Sequence, residues 1–321
     1  MPYQPKDSFE SPRFCGVRTF MRLPYVEHLD AGEPIDFAVV GVPFDTGQSY
    51  RSGARFGPAH IRDFSVLLRP YHPQQDINVF DYVSGIDYGD LPVVPGYIEE
   101  TYRRMVEGLT PLLDRSIVPI VLGGDHSITL GELRAVAKRY GPAGLIHFDS
   151  HSDTWDSYFG QKYNHGTPFR RAAEEGLLAP ERVIQVGMRG PLYGPKDLDD
   201  ARQLGFAVYT TDDLLAMGIP EMIRLIRERV GSGPTFLSFD IDFLDPVYAP
   251  GTGTPEVAGV TVAQAQQLVR GLAGLNIVAY DLVEVLPAYD SGQITAAAAA
   301  NVVYEFIALL ALQKRGGHRD G

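Results

Sequence analysis

Three short segments concentrate carboxylates and imidazoles. His126 follows a Gly-Gly pair in IVPIVLGGDHS, Asp149, His151 and Asp153 alternate in LIHFDSHSD, and Asp240 and Asp242 alternate in FLSFDIDFLDP. Alternate residues of an extended chain share a face, so each set can converge on one point. Four carboxylates meeting at a buried strand end repel one another severely, and two imidazoles supply too little positive charge to offset them. Two divalent cations would. The donor set is oxygen-rich, holds two imidazoles and lacks sulfur, which favours Mn²⁺, with Ni²⁺, Co²⁺ or Zn²⁺ also compatible. A pair of ions ~4 Å apart can hold a bridging hydroxide and lower the pKa of bound water to about 7, which provides a nucleophile at neutral pH. A lone D-x-D more often caps a loop, and a lone histidine after glycines is more often structural. The D-x-H-x-D run resists that reading, because burying three such groups on one face without a ligand costs several kcal/mol.

These residues need a scaffold, and the apolar pattern supplies one. Strands are expected at 35–42, 117–122, 144–148, 182–186, 207–210, 235–239 and 277–285, all short and rich in Val, Ile and Phe. Such runs suit strands buried on both faces of a parallel sheet. Helical periodicity lies between them at 98–114, 127–139, 220–230, 262–272 and 296–312. The alternation predicts a doubly wound α/β fold whose functional residues sit where strands end. Residues 1–33 read as an irregular arm and 34–321 as a single catalytic domain, since no linker, repeat or composition break divides them.

The bulk properties narrow the partners. With 40 acidic against 28 basic residues, the net charge of −12 disfavours nucleic acid and anionic membranes. A single cysteine, Cys15, precludes an internal disulfide and a thiolate metal site. The polar N-terminus lacks the apolar core of a signal peptide, and no uninterrupted apolar run of ~18 residues suggests a membrane span. The expectation is a cytoplasmic enzyme acting on a small molecule.

The three segments resemble the signature motifs of the ureohydrolase family, which includes arginase and agmatinase. GVPFDTGQSYRSGARFGPAHIR (41–62) is similar to the family's N-terminal signature, and FMRLPYV (20–26) to the arm of the agmatinase branch. KYNHGTPFRRAAEEGLL, GMRGPLYGPKDL, APGTGTPEVAGV and DLVEVLPAYD also match that branch, so the resemblance runs from about Phe20 to near the end. It implies a three-layer α/β/α sandwich around a mostly parallel eight-stranded sheet, and a homo-oligomer, trimeric or hexameric. It also implies one metal held by His126, Asp149, Asp153 and Asp240, and another by His151, Asp149, Asp240 and Asp242. His165 takes the position of the family's acid–base histidine, and Glu284 that of the carboxylate facing the substrate guanidinium. One departure stands out: the second motif commonly reads D-A-H-x-D, and here Ser150 replaces the alanine. By strand alternation its side chain should point away from the metals.

The implied reaction is hydrolysis of a guanidino C–N bond to urea and an amine. Glu284 would orient the guanidinium, Asp153 would accept the nucleophile's proton, and His165 would shuttle protons to the departing amine. Specificity should lie in the loop Thr154–Asn164. Its Trp155, Tyr158 and Asn164 are candidate substrate contacts, and its aromatic rings suit the cationic tail of agmatine. Lys162, or Arg189 further on, would instead suit the carboxylate of 4-guanidinobutanoate or 3-guanidinopropanoate, the alternatives being a solvated surface lysine and a structural arginine between subunits. Guanidine, alkylguanidines and biguanides share the same chemistry at the reacting end. A single-zinc deacetylase would carry fewer carboxylates, and an inactive subunit of a mixed oligomer would be expected to have lost ligands.

Overall fold

The computed structural model describes residues 1–29, 34–194 and 196–317; the expected arm boundary at 33/34 and Pro195 of the GMRGPLYGPKDL motif lie outside the described residues. One sheet organises the chain. Its strands are β1 (Phe37–Val42), β2 (Gly85–Asp90), β3 (Val118–Gly123), β4 (Ala143–Phe148), β5 (Leu178–Met188), β6 (Ala207–Thr210), β7 (Thr235–Asp240) and β8 (Ile277–Val283). They lie in the order β2-β1-β3-β8-β7-β4-β5-β6, and every pairing is parallel. The helices are α1 (Gly57–Ser65), α2 (Ile98–Asp114), α3 (Thr129–Tyr140), α4 (Pro168–Glu174), α5 (Asp197–Gln203), α6 (Thr211–Met217), α7 (Ile219–Val230), α8 (Val262–Arg270) and α9 (Ile294–Gly317).

Strand alternation sends successive side chains to opposite faces and builds two cores. Phe37, Val39, Ile146, Phe148, Leu237 and Phe239 join one apolar cluster, while Ala38, Val40, Leu145 and Phe236 join the other. Helices α1, α7, α8 and α9 pack together on the first face, and α2, α3 and α4 on the second, so the sandwich has three layers. The apolar stretch Ser291–Gly316, which includes most of helix α9, is long and apolar enough to span a membrane, but it is mostly buried inside the protein.

Each of the seven expected strands corresponds to an observed one, with small shifts at the ends. The eighth, β2, escaped because GIDYGD is neither apolar nor alternating; it is an edge strand whose Asp87 is buried by pairing rather than by hydrophobicity. Helices α4, α5 and α6 span seven residues each, too few to show a period. Helix α3 starts later than expected because a 3₁₀ turn over His126–Ile128, capped by Asp125, precedes it.

The arm is tied to β2. Tyr3 N donates to Ser84 Oγ at 3.1 Å, and Phe20 N donates to Asp87 Oδ2 at 2.7 Å. Arg62 of α1 places Nε and Nη2 on Asp87 at 2.8 and 2.9 Å and Nη1 on Asp90 at 2.5 Å. Arm, helix and edge strand thus share one buried ion pair. Replacing Arg62 with Met would leave Asp87 buried without its cation, so Arg62→Met should lower unfolding free energy by about 3–5 kcal/mol in urea denaturation.

Candidate metal centre

The functional side chains gather at the carboxyl ends of four adjacent strands, β3, β8, β7 and β4, where open α/β sheets place their ligands. Register levels these ends: Phe148 lies opposite Phe239, and Val283 opposite Asp240. Asp149 therefore emerges beside Asp240, and Glu284 one residue past the end of β8. After β3 the chain turns at Gly124, where an added Cβ would sit 2.4 Å from Phe44 O and 2.6 Å from Val42 O. Only glycine lets the backbone pass this close.

His126 Nδ1 lies 3.0 Å from Asp149 Oδ2, 3.0 Å from Asp153 Oδ2 and 3.1 Å from Asp240 Oδ2. His151 Nδ1 lies 3.2 Å from Asp242 Oδ2 and 3.5 Å from Asp149 Oδ1. The sequence-based metal set thus comes together as two adjoining clusters that share Asp149. The carboxylates are buried, and His151 is partly exposed. Burial, reinforced by Asp242 and Asp149, holds the Asp240 carboxyl well above its usual range. Burial also raises Asp242, with Asp149 adding to it and His151 opposing. Burial would lower the His126 pKa, but hydrogen bonds to Asp149, Asp153 and Asp240 outweigh it and hold it well above the usual value. Asp242 Oδ2 is buried and accepts no hydrogen bond. Crowded carboxyls, one with a bare oxygen, fit a pair of divalent cations: oxygen and imidazole donors are present, and so is the excess negative charge that cations would offset.

His147 joins the site unannounced by the sequence motifs, although it shares the parity of Asp149, His151 and Asp153. Its Nε2 donates to Asp149 Oδ2 at 2.8 Å, and its Nδ1 accepts from Gln185 Nε2 at 2.9 Å. Gln185 Nε2 also donates to Ser152 O at 2.7 Å. With both ring nitrogens engaged, His147 orients Asp149 rather than adding a ligand. Asp125 is likewise unannounced; burial and the nearby Glu284 charge push its carboxyl up to about 7.

Asp153 and Glu284 both have left-handed backbones, with φ of 52° and 67°. Non-glycine residues adopt this conformation at a cost of about 1–3 kcal/mol, often at functional sites. Glu284 Oε1 accepts from His126 N at 2.9 Å, and Oε2 accepts from Gln48 Nε2 at 2.6 Å. His165 Nδ1 is 3.4 Å from Glu284 Oε1, and its Nε2 is 2.7 Å from Ser49 Oγ. Burial would lower the His165 pKa, but Glu284, with Asp153 and Asp125, outweighs it and raises the value.

A cavity of about 200 Å³ opens beside the cluster, and His151, Asp153, His165, Trp155 and Tyr158 line it. Trp155 stacks on Tyr158 with centroids 4.9 Å apart, and the Tyr158 and Tyr193 hydroxyls lie 3.0 Å apart. Asp197 and Glu256 also line the cavity, and neither had been expected there. Lys162 and Asn164 do not line it. Lys162 is exposed, while Asn164 is buried and accepts from Gly166 N at 2.9 Å to shape the loop. Arg189 donates to the carbonyls of Asp242, Glu256 and Leu244 at 2.6, 2.9 and 3.1 Å, so it braces backbone rather than facing a ligand. Ser150 does not point away either. Its Oγ donates to Asp242 Oδ1 at 2.7 Å, because β4 has already ended at Phe148 and strand alternation no longer applies.

Fold and site together define an α/β protein with a histidine–aspartate centre suited to metal ions at the carboxyl edge of a parallel sheet. The arginase family profile matches residues 35–309. The chain is 46% identical to a guanidinopropionase of Pseudomonas aeruginosa over 96% of each chain. It is 45% identical to the mitochondrial agmatinase of Gallus gallus, over 93% of this chain and 87% of that one. The solved structure of proclavaminate amidinohydrolase from Streptomyces clavuligerus superposes with a TM-score of 0.90 at 39% identity, covering 94% of this chain and all of the other. The protein belongs to the arginase family, and its eight-stranded parallel sandwich is the arginase-like fold.

If the cluster holds cations, saturating Mn²⁺ or Ni²⁺ should stabilise the metal-free protein by about 2.7 kcal/mol at a hundredfold excess over Kd. Asp240→Ala should abolish that gain. Thermal unfolding with and without metal checks both outcomes.

Proposed function

We propose that this chain is a dinuclear-metal hydrolase that cleaves a guanidino C–N bond, with agmatine converted to urea and putrescine. The observation that carries the reading is the meeting of His126, Asp149, His151, Asp153, Asp240 and Asp242 beside a cavity whose lining, among the described residues, includes carboxylates and aromatic rings but no lysine or arginine. His126, Asp149, Asp153 and Asp240 would hold one ion, and His151, Asp149, Asp240 and Asp242 the other. When bound, such ions supply a water-derived nucleophile at neutral pH.

The protein's own groups do the rest. A guanidinium is a planar, resonance-stabilised cation and must be held in place to be attacked. Glu284 is suited to hold it: the Gln48 amide N–H on its Oε2 occupies the kind of position a guanidinium N–H would take. Asp153, at the cavity wall, accepts the proton released during attack. His165, between Glu284 and Ser49, passes protons to the departing amine.

The tail of the substrate is chosen by charge. Identities to an agmatinase and to a guanidino-acid enzyme are 45% and 46%, so similarity does not separate them. The charge of the cavity wall supports the cationic tail. Of the two cations that could have met a carboxylate tail, Lys162 is exposed away from the cavity, and Arg189 is spent on backbone carbonyls. Asp197 and Glu256 would repel an acid and attract an ammonium group.

With metal loaded, kcat/KM for agmatine should exceed that for 4-guanidinobutanoate and 3-guanidinopropanoate by about tenfold or more, a difference of ~1.4 kcal/mol. A preference for either acid would overturn the tail assignment. Glu284→Gln should retain metal, measured by elemental analysis, yet lose about 100-fold or more in kcat/KM. Unchanged kcat/KM would remove Glu284 from the reaction.

A further inference from the structure

Asp242 presents its two oxygens very differently. Oδ1 accepts from the Ser150 hydroxyl at 2.7 Å and from Ser150 N at 3.1 Å. Oδ2 is buried, accepts no hydrogen bond, and lies 3.2 Å from His151 Nδ1. A carboxylate oxygen offers about two lone-pair sites, so the two donors fill those of Oδ1 and leave Oδ2 as the available one. Ser150 is itself 2% exposed, and its Oγ lies 3.1 Å from His151 Nδ1. An alanine at this position would keep the N–H donor but lose the hydroxyl, freeing a lone pair on Oδ1.

We infer that Ser150 is a positioning residue that makes Asp242 a one-oxygen metal ligand and orients that oxygen toward the ion shared with His151. The inference rests on the dinuclear reading above and deepens it. The hydroxyl donates a charge-assisted hydrogen bond, the strong kind, and so resists rotation of the carboxylate about its χ2 torsion. Supporting groups of this type set both the affinity and the geometry of a site.

The test uses the full chain stripped of metal and titrated with Mn²⁺ alone, with unbound ion followed by electron paramagnetic resonance. Ser150→Ala should weaken the second Mn²⁺ by about tenfold, whereas Ser150→Thr, which keeps a hydroxyl, should stay within about twofold of the unsubstituted protein. A crystal structure of the Mn²⁺-loaded protein should show Asp242 bound through Oδ2 alone. Equal affinity in Ser150→Ala, an equal loss in Ser150→Thr, or both Asp242 oxygens on the ion would overturn the assignment. Fewer than two ions on the unsubstituted chain would overturn the dinuclear reading itself, and this inference with it.

Discussion

Four buried carboxylates held at the ends of neighbouring strands set the terms for the rest of the molecule. Asp149, Asp153, Asp240 and Asp242 are crowded with little solvent to screen them, and Asp240 and Asp242 are pushed toward their protonated forms by burial and by the Asp149 charge, with Asp242 adding to the rise of Asp240. Such an arrangement is costly in a protein that gains nothing from it. Nearby groups serve to hold it. His126 reaches three of the carboxylates, His147, itself held by Gln185, fixes Asp149, and Ser150 fixes Asp242.

The sheet makes this crowding achievable. The strands that deliver the ligands are central, buried on both faces and locked by parallel pairing, so their ends cannot drift apart. The left-handed backbone of Glu284 falls just where the chain leaves β8, and that of Asp153 lies in the segment that follows β4. Rigid strands with strained exits place the side chains more accurately than a loop could.

Charge is divided with similar economy. Arg62 and Arg189 are both committed to structure: one pairs with Asp87 and Asp90, the other braces carbonyls around the Asp242 turn. The cavity is left with carboxylates, histidines and aromatic rings. A site of that character favours cationic ligands.

Local signals in the chain were enough to find most of the framework and the ligand set. Val- and Ile-rich runs identified seven strands because burial on both faces demands apolar residues, and the D-x-H-x-D and D-x-D spacings identified side chains that the fold brings together as candidate metal ligands. The same spacing would have included His147 had it been followed two residues back. Strand β2 was hidden because its Asp87 is compensated by Arg62, 25 residues earlier, a pairing that no local pattern encodes. Tertiary structure alone decided the direction of Ser150, because alternation ends with β4 at Phe148. It also brought Asp197 and Glu256 to the cavity and turned Lys162 and Arg189 away from it, since the cavity wall is assembled from segments far apart in the chain. Periodicity reports how a residue lies within its own element; which charges face one another across a cavity depends on how the elements pack.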